Sequence, residues 1–555
     1  MNRSLLLGRL GWLTVMGLVS LAYVNGLNAP FVYDDKIEVV GNATIRDLSQ
    51  IRAVLEYNVS RVWLILSYAW NYRSFGLDPF GYHVTSVIIH GLAVGAGMTF
   101  MVRLGRLGGH PRPMIPAMAA AGLWALHPMG TEGVTYITGR SESLCALAVL
   151  ATLAVFARAL LHERSQDRVA LGARVQALVL CVVAMGTKEV ALMTPFALLL
   201  MEHTFAERGK RPVRWGWYLP FLGAVALGVA GRIVYAEHFI PREVDRPLPT
   251  QLTTQAEVWL RYLQLWLLPV NQTIYHHVPD VSIFSGRGVM AWTGWSALAA
   301  GGWWWSKGRP LVRYSLLCAA LFLVPSSSVV ALKESMAEHR AYVTGLYLFA
   351  AAAWSVPRRR ATVSVGIAVL LAPVFVTATM ARNAVWSSEV ALWEEAAEIN
   401  EHVAEAWYGL GDAHRFAGDY DSAERAYEEA LERDPRHLDS WNNLGITRVN
   451  TGDVYGARAA WQAALGVNRT YCKAHANLGF LAQSRGQIEE AVVEFTTTLS
   501  YCPNNLVAHY GLGVIYADER RNPKRAVAHF EALLAIDPNF SRSEEVKQRL
   551  LELTW

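Results

Sequence analysis

Apolar residues gather into long unbroken runs in the first two thirds of the chain. These runs fall near 5–24, 83–102, 114–127, 143–161, 171–187, 190–203, 216–236, 288–305, 311–331, 341–356 and 361–380. A membrane-spanning helix needs about 20 residues, so 114–127 and 190–203 are short and must recruit neighbours. The stretch 256–270 (AEVWLRYLQLWLLPV) is also short and carries Glu257 and Arg261.

Past residue 381 the pattern becomes a repeat of about 34 residues, the length of a tetratricopeptide unit. Leu410-Gly411, Leu444-Gly445, Leu478-Gly479 and Leu512-Gly513 recur in register, as do Gly418, Gly452 and Gly486. Ala423, Ala457, Ala491 and Ala526 follow, the last after a one-residue insertion, and Tyr427, Trp461, Phe495 and Phe530 hold the next aromatic position. One helix hairpin cannot bury its own apolar face, whereas four stacked units can. The expected fold is therefore all-α. A polytopic membrane bundle covers 1–381, a linker and leading helix 382–403, four repeat units forming a solenoid 404–540, and a capping helix 541–555.

Charge divides along the same line. From residue 389 onward there are 16 Lys/Arg against 26 Asp/Glu, a net of −10, which leaves 34 against 20, or +14, before it. The overall +4 thus gives no reason to expect nucleic-acid binding. Basic clusters stand at Arg3/Arg9, Arg103/Arg106/Arg112, Arg164/Arg168/Arg174, Arg208/Lys210/Arg211/Arg214, Lys307/Arg309/Arg313 and Arg358/Arg359/Arg360. Placing all six in the cytoplasm makes the spans alternate, provided that 256–270 does not cross. That gives about eleven spans, with the N-terminus inside and the repeats outside: in the periplasm for a bacterium, or the endoplasmic reticulum lumen for a eukaryote. The first apolar run reads as a retained signal anchor. Cys145, Cys181 and Cys318 lie in apolar runs, and no CxxC occurs. Cys472 and Cys502 flank one hairpin unit, where either a disulfide or two buried thiols would fit.

The candidate chemistry gathers on the predicted outer side. Asp34 and Asp35, in FVYDD, are like-charged neighbours at a bilayer edge, read as a general base and an orienting or metal-binding partner. The segment LHPMGTEGVTYITGRSE (126–142) brings His127, Glu132, Arg140 and Glu142. There Arg140 either pairs with Glu132 to staple two helix ends or clamps a phosphate. Lys188-Glu189 interrupts two apolar runs, and Glu338-His339-Arg340 opens another span. Lys188 and Arg340 can hold a lipid phosphate, and His339 can donate to it or cap a helix. His83 and His90, seven apart, read as a packed polar seam rather than a metal pair. One acidic pair and several cations at one membrane edge are what transfer from a phosphate-linked lipid donor requires.

Several pieces in order give a more specific picture. They are FVYDD (31–35), DPFGYHVTSVIIH (78–90), HPMGTEGVTYITGRSE (127–142), TKEVALMTP (187–195), AEHRAYV (337–343) and RNAVWSSEVALWEEA (382–396), followed by the repeats. Together they resemble the family of transmembrane and tetratricopeptide-containing O-mannosyltransferases and its bacterial relatives, over nearly the whole chain. The resemblance implies a C-type glycosyltransferase fold that takes sugar from a polyprenyl-phosphate donor in inverting transfer. By that resemblance Asp34 or Asp35 would be the base, and Arg140, Lys188 and Arg340 the donor-phosphate contacts, to which the residues themselves add His339. His83, His127, Glu132, Glu142, Glu189 and Glu338 would support them. Two places depart from the pattern: SRVWLIL (60–66) lacks an Arg-Pro-Leu, and NQTIYHH (271–277) has Tyr-His where an acidic residue is expected. The second leaves the sugar and any divalent metal open.

The expected partners are the bilayer, a lipid-linked sugar, and an acceptor or partner protein along the concave face of the repeats. Two rival readings remain: a non-catalytic scaffold whose spans are only an anchor, and a lipid-linked glycan transporter.

Overall fold

The computed structural model describes all residues except 1–2, 167–168, 206–214, 240–245, 326, 328–330, 333, 539 and 555, and the side chains of 3–9 and 231–239. The basic cluster at 208–214 and Arg168 therefore lie outside the described residues, as do the side chains of Arg3 and Arg9. Among the described residues there is no strand. The chain divides into two compact units, Met1–Leu392 and Trp393–Trp555.

The first unit runs α1 (Arg3–Tyr23), α2 (Ile51–Tyr57), α3 (Val62–Phe75), α4 (Pro79–Leu107), α5 (Met114–Leu126), α6 (Thr131–Val134), α7 (Arg140–Gln166) and α8 (Leu171–Met185). It continues with α9 (Thr194–Phe205), α10 (Leu219–Phe239), α11 (Leu248–Leu267), α12 (Gly286–Trp305), α13 (Pro310–Leu321), α14 (Tyr342–Ser355) and α15 (Thr362–Trp386). By length and composition three of them, α4, α7 and α15, can cross a membrane alone. Shorter apolar helices occupy Leu10–Gly26, Met114–Leu126, Leu171–Met185, Trp215–Ala230 and Pro310–Leu321. Each of the eleven apolar runs expected from sequence coincides with a helix, but several of those helices are shorter than the runs.

Small residues set the packing of the bundle. Ala93, Gly97, Ala117, Ala120, Ala121, Ala146 and Ala350 are buried and let helix backbones approach closely. Polar groups inside find partners, as burial demands. Arg164 donates to the Leu107 and Phe205 carbonyls at 2.9 and 2.6 Å, closing the C-terminal ends of α4 and α9. Arg174, 2% exposed, is held at two points by Glu163 at 2.8 and 2.9 Å.

α16 (Glu389–Ile399) crosses the division between the two units. The second unit then continues with α17 (Ala404–Ala417), α18 (Tyr420–Arg433), α19 (Leu438–Thr451), α20 (Val454–Val467), α21 (Cys472–Ser484), α22 (Ile488–Tyr501), α23 (Leu506–Val514), α24 (Pro523–Ile536) and α25 (Ser543–Thr554). The repeat signature works through close approach. A Cβ at Gly411, Gly445, Gly479 or Gly513 would stand 2.4–2.8 Å from the ring of Tyr427, Trp461, Phe495 or Phe530 respectively. The fourth unit absorbs its extra residue in a π-helical turn, Ile515–Glu519, and there Arg521 takes up a φ of 46°. Cys472 and Cys502 form a disulfide, with Cα atoms 6.3 Å apart, joining the start of α21 to the end of α22.

Candidate functional site

The FVYDD segment is a tightly held loop. Tyr33 has a φ of 51°, the left-handed region that a residue with a Cβ enters at a cost of about 1 kcal/mol. Its hydroxyl donates to Glu334 Oε1 at 2.6 Å, and its ring lies 6.4 Å from that of Tyr136. His83 of α4 receives the same stretch, its Nε2 lying 2.9 Å from the Ala29 carbonyl. Turning the chain at Tyr33 sends the next two carboxylates in different directions.

Asp35 points inward. It is 1% exposed and accepts from Thr138 N at 2.8 Å, Thr138 Oγ1 at 2.6 Å and Val32 N at 3.3 Å. Burial nevertheless raises its pKa to about 7, against the pull of those donors. Asp34 reaches the surface. Partial burial in the loop raises its pKa from the ordinary value, while Tyr136 and Arg61 favour the charged form. The two acids that sequence treats as a pair thus separate into a buried brace and an accessible carboxylate.

The segment after α5 is almost wholly buried. His127 Nδ1 accepts from Met129 N at 3.2 Å, and its ring packs 4.7 Å from Trp266 and 4.6 Å from Phe375. Gly139 permits the turn into α7, because a Cβ there would stand 1.8 Å from the Glu132 carbonyl oxygen. Arg140 is 0% exposed and donates to Ser86 Oγ, Ser67 Oγ, Asn71 Oδ1 and the Tyr82 carbonyl at 2.9, 3.0, 2.7 and 2.7 Å. Its guanidinium also lies over the Tyr68 ring at 5.2 Å. Of the two readings of Arg140, the Glu132–Arg140 pair does not form: Arg140 turns into the α3–α4 seam, and Glu132 faces His339. Lys188 is likewise buried, paired with Glu142 at 2.7 Å, and Glu189 opens the short helix Glu189–Met193 beside it.

The third wall is Glu338-His339-Arg340. Glu338 accepts from Gln272 Nε2 at 2.6 Å and Thr273 N at 2.9 Å, and lies 2.9 Å from His276 Nε2. These contacts hold its pKa low. The NQTIYHH loop therefore wraps an acid supplied by another segment. Glu132 clasps His339 twice, at Nδ1 (2.6 Å) and at the backbone N (2.9 Å). Arg340 is half-buried, and one of its Nη atoms donates to the Glu334 carbonyl at 2.8 Å. Glu334 is thus bound both by Tyr33, next to Asp34, and by Arg340. Lys188, Glu142, Arg340 and Glu334 all act electrostatically on His339. The structure thus links the Asp34 loop to Arg340 through Tyr33 and Glu334, sets Lys188 within electrostatic reach of His339, and gives Arg140, His83, His90 and His127 contacts that hold helices together. His90 does so through Tyr342 and the Ala125 carbonyl.

Sequence reasoning gave no role to Tyr33, Glu334, Tyr136, Thr138 or Asn383. Asn383 joins three segments, accepting from Thr135 Oγ1 at 2.6 Å and donating to the Ala22 carbonyl at 2.9 Å. Nearby, Trp386 stacks on Tyr136 at 5.3 Å. The RNAVW motif carried that signal. Among the described residues no group of three or more His, Cys, Asp or Glu is placed to hold a metal ion.

A tetratricopeptide-repeat family model matches residues 408–470 and 473–539. The Caenorhabditis elegans protein O-mannosyl-transferase F38B6.6 is 25% identical over 447 residues, covering 75% of this chain and 61% of that protein. This chain is similar to that protein over three quarters of its length. The Drosophila melanogaster protein O-mannosyl-transferase Tmtc1 is 27% identical over 200 residues, covering 33% of this chain and 21% of that protein. The matches span less than two thirds of either relative. Among solved structures, MamA is 20% identical with a TM-score of 0.25, the match covering 28% of this chain and 89% of that one.

Proposed function

We propose that this chain is a membrane glycosyltransferase that moves a sugar, mannose by the names of its relatives, from a polyprenyl-phosphate donor to a protein hydroxyl outside the cytoplasm. The observation that carries the reading is an accessible carboxylate, Asp34, on a strained loop tied through Tyr33 and Glu334 to Arg340, the neighbour of His339. Asp34 takes the proton from the acceptor hydroxyl as its oxygen attacks the sugar carbon. A pKa raised from its ordinary value by burial makes it a stronger base than a free aspartate. Arg340 and His339 meet the departing phosphate, and the buried Lys188 adds positive potential behind them. Asp35 holds the loop against Thr138.

The proposed topology keeps about eleven spans in a C-type glycosyltransferase fold, short helices crossing with the help of their neighbours. The repeats lie on the same side as Asp34. The disulfide between Cys472 and Cys502 supports this placement, because disulfides persist in oxidising compartments. The repeats recruit the acceptor or a partner along their concave face.

Purified protein in lipid nanodiscs, given radiolabelled polyprenyl-phosphate mannose and an acceptor peptide, tests this reading. Asp34→Asn should reduce transfer by about 10² or more, and Asp35→Asn by much less. Transfer that neither substitution impairs would remove the base assignment.

A further inference from the structure

We propose that Glu132 is a positioning residue for His339, and that the two take up one proton as the donor phosphate arrives, so that His339 meets it with an Nε2–H. This rests on the transferase reading above and adds to it a residue role and a proton.

The geometry is a two-point clasp. One Glu132 oxygen stands 2.6 Å from His339 Nδ1, and the other accepts from the His339 backbone N–H at 2.9 Å. A carboxylate bound to ring and backbone of the same residue fixes the ring's rotation and decides which nitrogen is free. Nε2 makes no hydrogen bond among the described residues, and 19% of the side chain is exposed, against 7% for Glu132. A staple needed only for packing would not have to leave one nitrogen open at the rim.

The proton count follows. With Glu132 ionised and the imidazole neutral, Nδ1 holds the ring's one hydrogen and Nε2 presents a lone pair, which repels a phosphate oxygen. One further proton on the pair gives Nε2–H, either with a carboxylic acid donating to Nδ1 or with an imidazolium beside a carboxylate. Every charged group facing the pair bears on this. Burial, then Lys188 and Arg340, favour neutral imidazole and lower His339 to about 3, against Glu142 and Glu334. Burial and the charge of Glu338 raise Glu132 to about 7, against the His339 backbone N–H, His276 and Arg382. A proton added near neutral pH is therefore stored on Glu132 until an anion arrives.

During transfer the sugar–phosphate bond breaks as the acceptor oxygen bonds the sugar carbon. The acceptor's proton goes to Asp34, and the bond's electron pair leaves with the lipid phosphate. That phosphate can take the Nε2 proton, its place on the pair being refilled from solvent while Asp34 releases its own. The sum is one proton moved from acceptor to lipid phosphate.

Calorimetric titration of the full-length protein in nanodiscs tests this. The ligand is a short-chain polyprenyl-phosphate mannose, a diester whose own charge does not change near neutral pH, added without acceptor in buffers of different ionisation heat. Wild type should take up a proton on binding, approaching one per site at pH 8 and falling toward zero at pH 6. Glu132→Gln should bind within about threefold of wild type at pH 6 and take up none, because the amide N–H donates to Nδ1 and fixes Nε2–H. His339→Ala should weaken binding about tenfold or more at pH 6. Absence of uptake by the wild type overturns the proposal whether or not the variants fold, and so does undiminished uptake by Glu132→Gln. Absence of binding at every pH sinks the donor reading itself, which a pH-independent affinity would leave standing.

Discussion

Arg140 and Asp35 are charged residues that hold the structure around the proposed site. Arg140 gives its donors to neutral oxygens and its face to Tyr68, with no carboxylate in contact. Replacing it with Ala leaves those acceptors unpaired in a dry seam. The expected result is a loss of about 3 kcal/mol or more, seen as a lowered thermal midpoint in detergent, whether or not donor is present. Asp35 carries a pH signature. Its folded pKa of about 7 lies above the ordinary carboxylate value, so its contribution to stability is complete at low pH and is lost as pH rises through 7. Asp35→Asn should flatten that decline in a series of unfolding midpoints between pH 5 and 8. At this scale the sequence was partly legible. Charged residues flanking apolar runs identified Asp34, Glu132, Lys188 and Arg340 as candidates. It could not show that Tyr33 turns the two acids apart, because a positive φ at a tyrosine has no signal in composition.

The elements were more legible, because their rules are local. Apolar runs and the repeat period located the helices. What the period could not show is how helix ends are stapled, since Asn383, Thr135 and Ala22 meet only in three dimensions. In the repeats, a Cβ at Gly445 would meet the Trp461 ring at 2.4 Å. Gly445→Val should therefore destabilise the second hairpin by about 1–3 kcal/mol, read as earlier loss of hydrogen-exchange protection over 438–467. The disulfide closes a sequence separation of 30. Replacing both Cys472 and Cys502 with Ser should cost about 3–4 kcal/mol by loop-closure entropy, and reductant should lower the wild-type midpoint to match.

At the scale of the whole molecule, the two chemically different halves were visible in charge alone, but the crossing count was not. Several buried helices are too short to be recognised one at a time. On the proposed topology, protease added to sealed inside-out vesicles should spare the repeats, and a maleimide reagent outside intact spheroplasts should label Cys472 only after reduction. Cleavage in the first case would reverse the orientation. The shortness of Met114–Leu126 has its own consequence. Its 13 residues rise about 20 Å, while the hydrocarbon is about 30 Å deep. If the helix starts at the cytoplasmic face, the polar stretch His127–Arg140 begins well beneath the opposite headgroups, at the floor of a basin. A long-chain lipid could then present its sugar without climbing out of the leaflet, and the acceptor would have to reach down as a slender, unfolded strand.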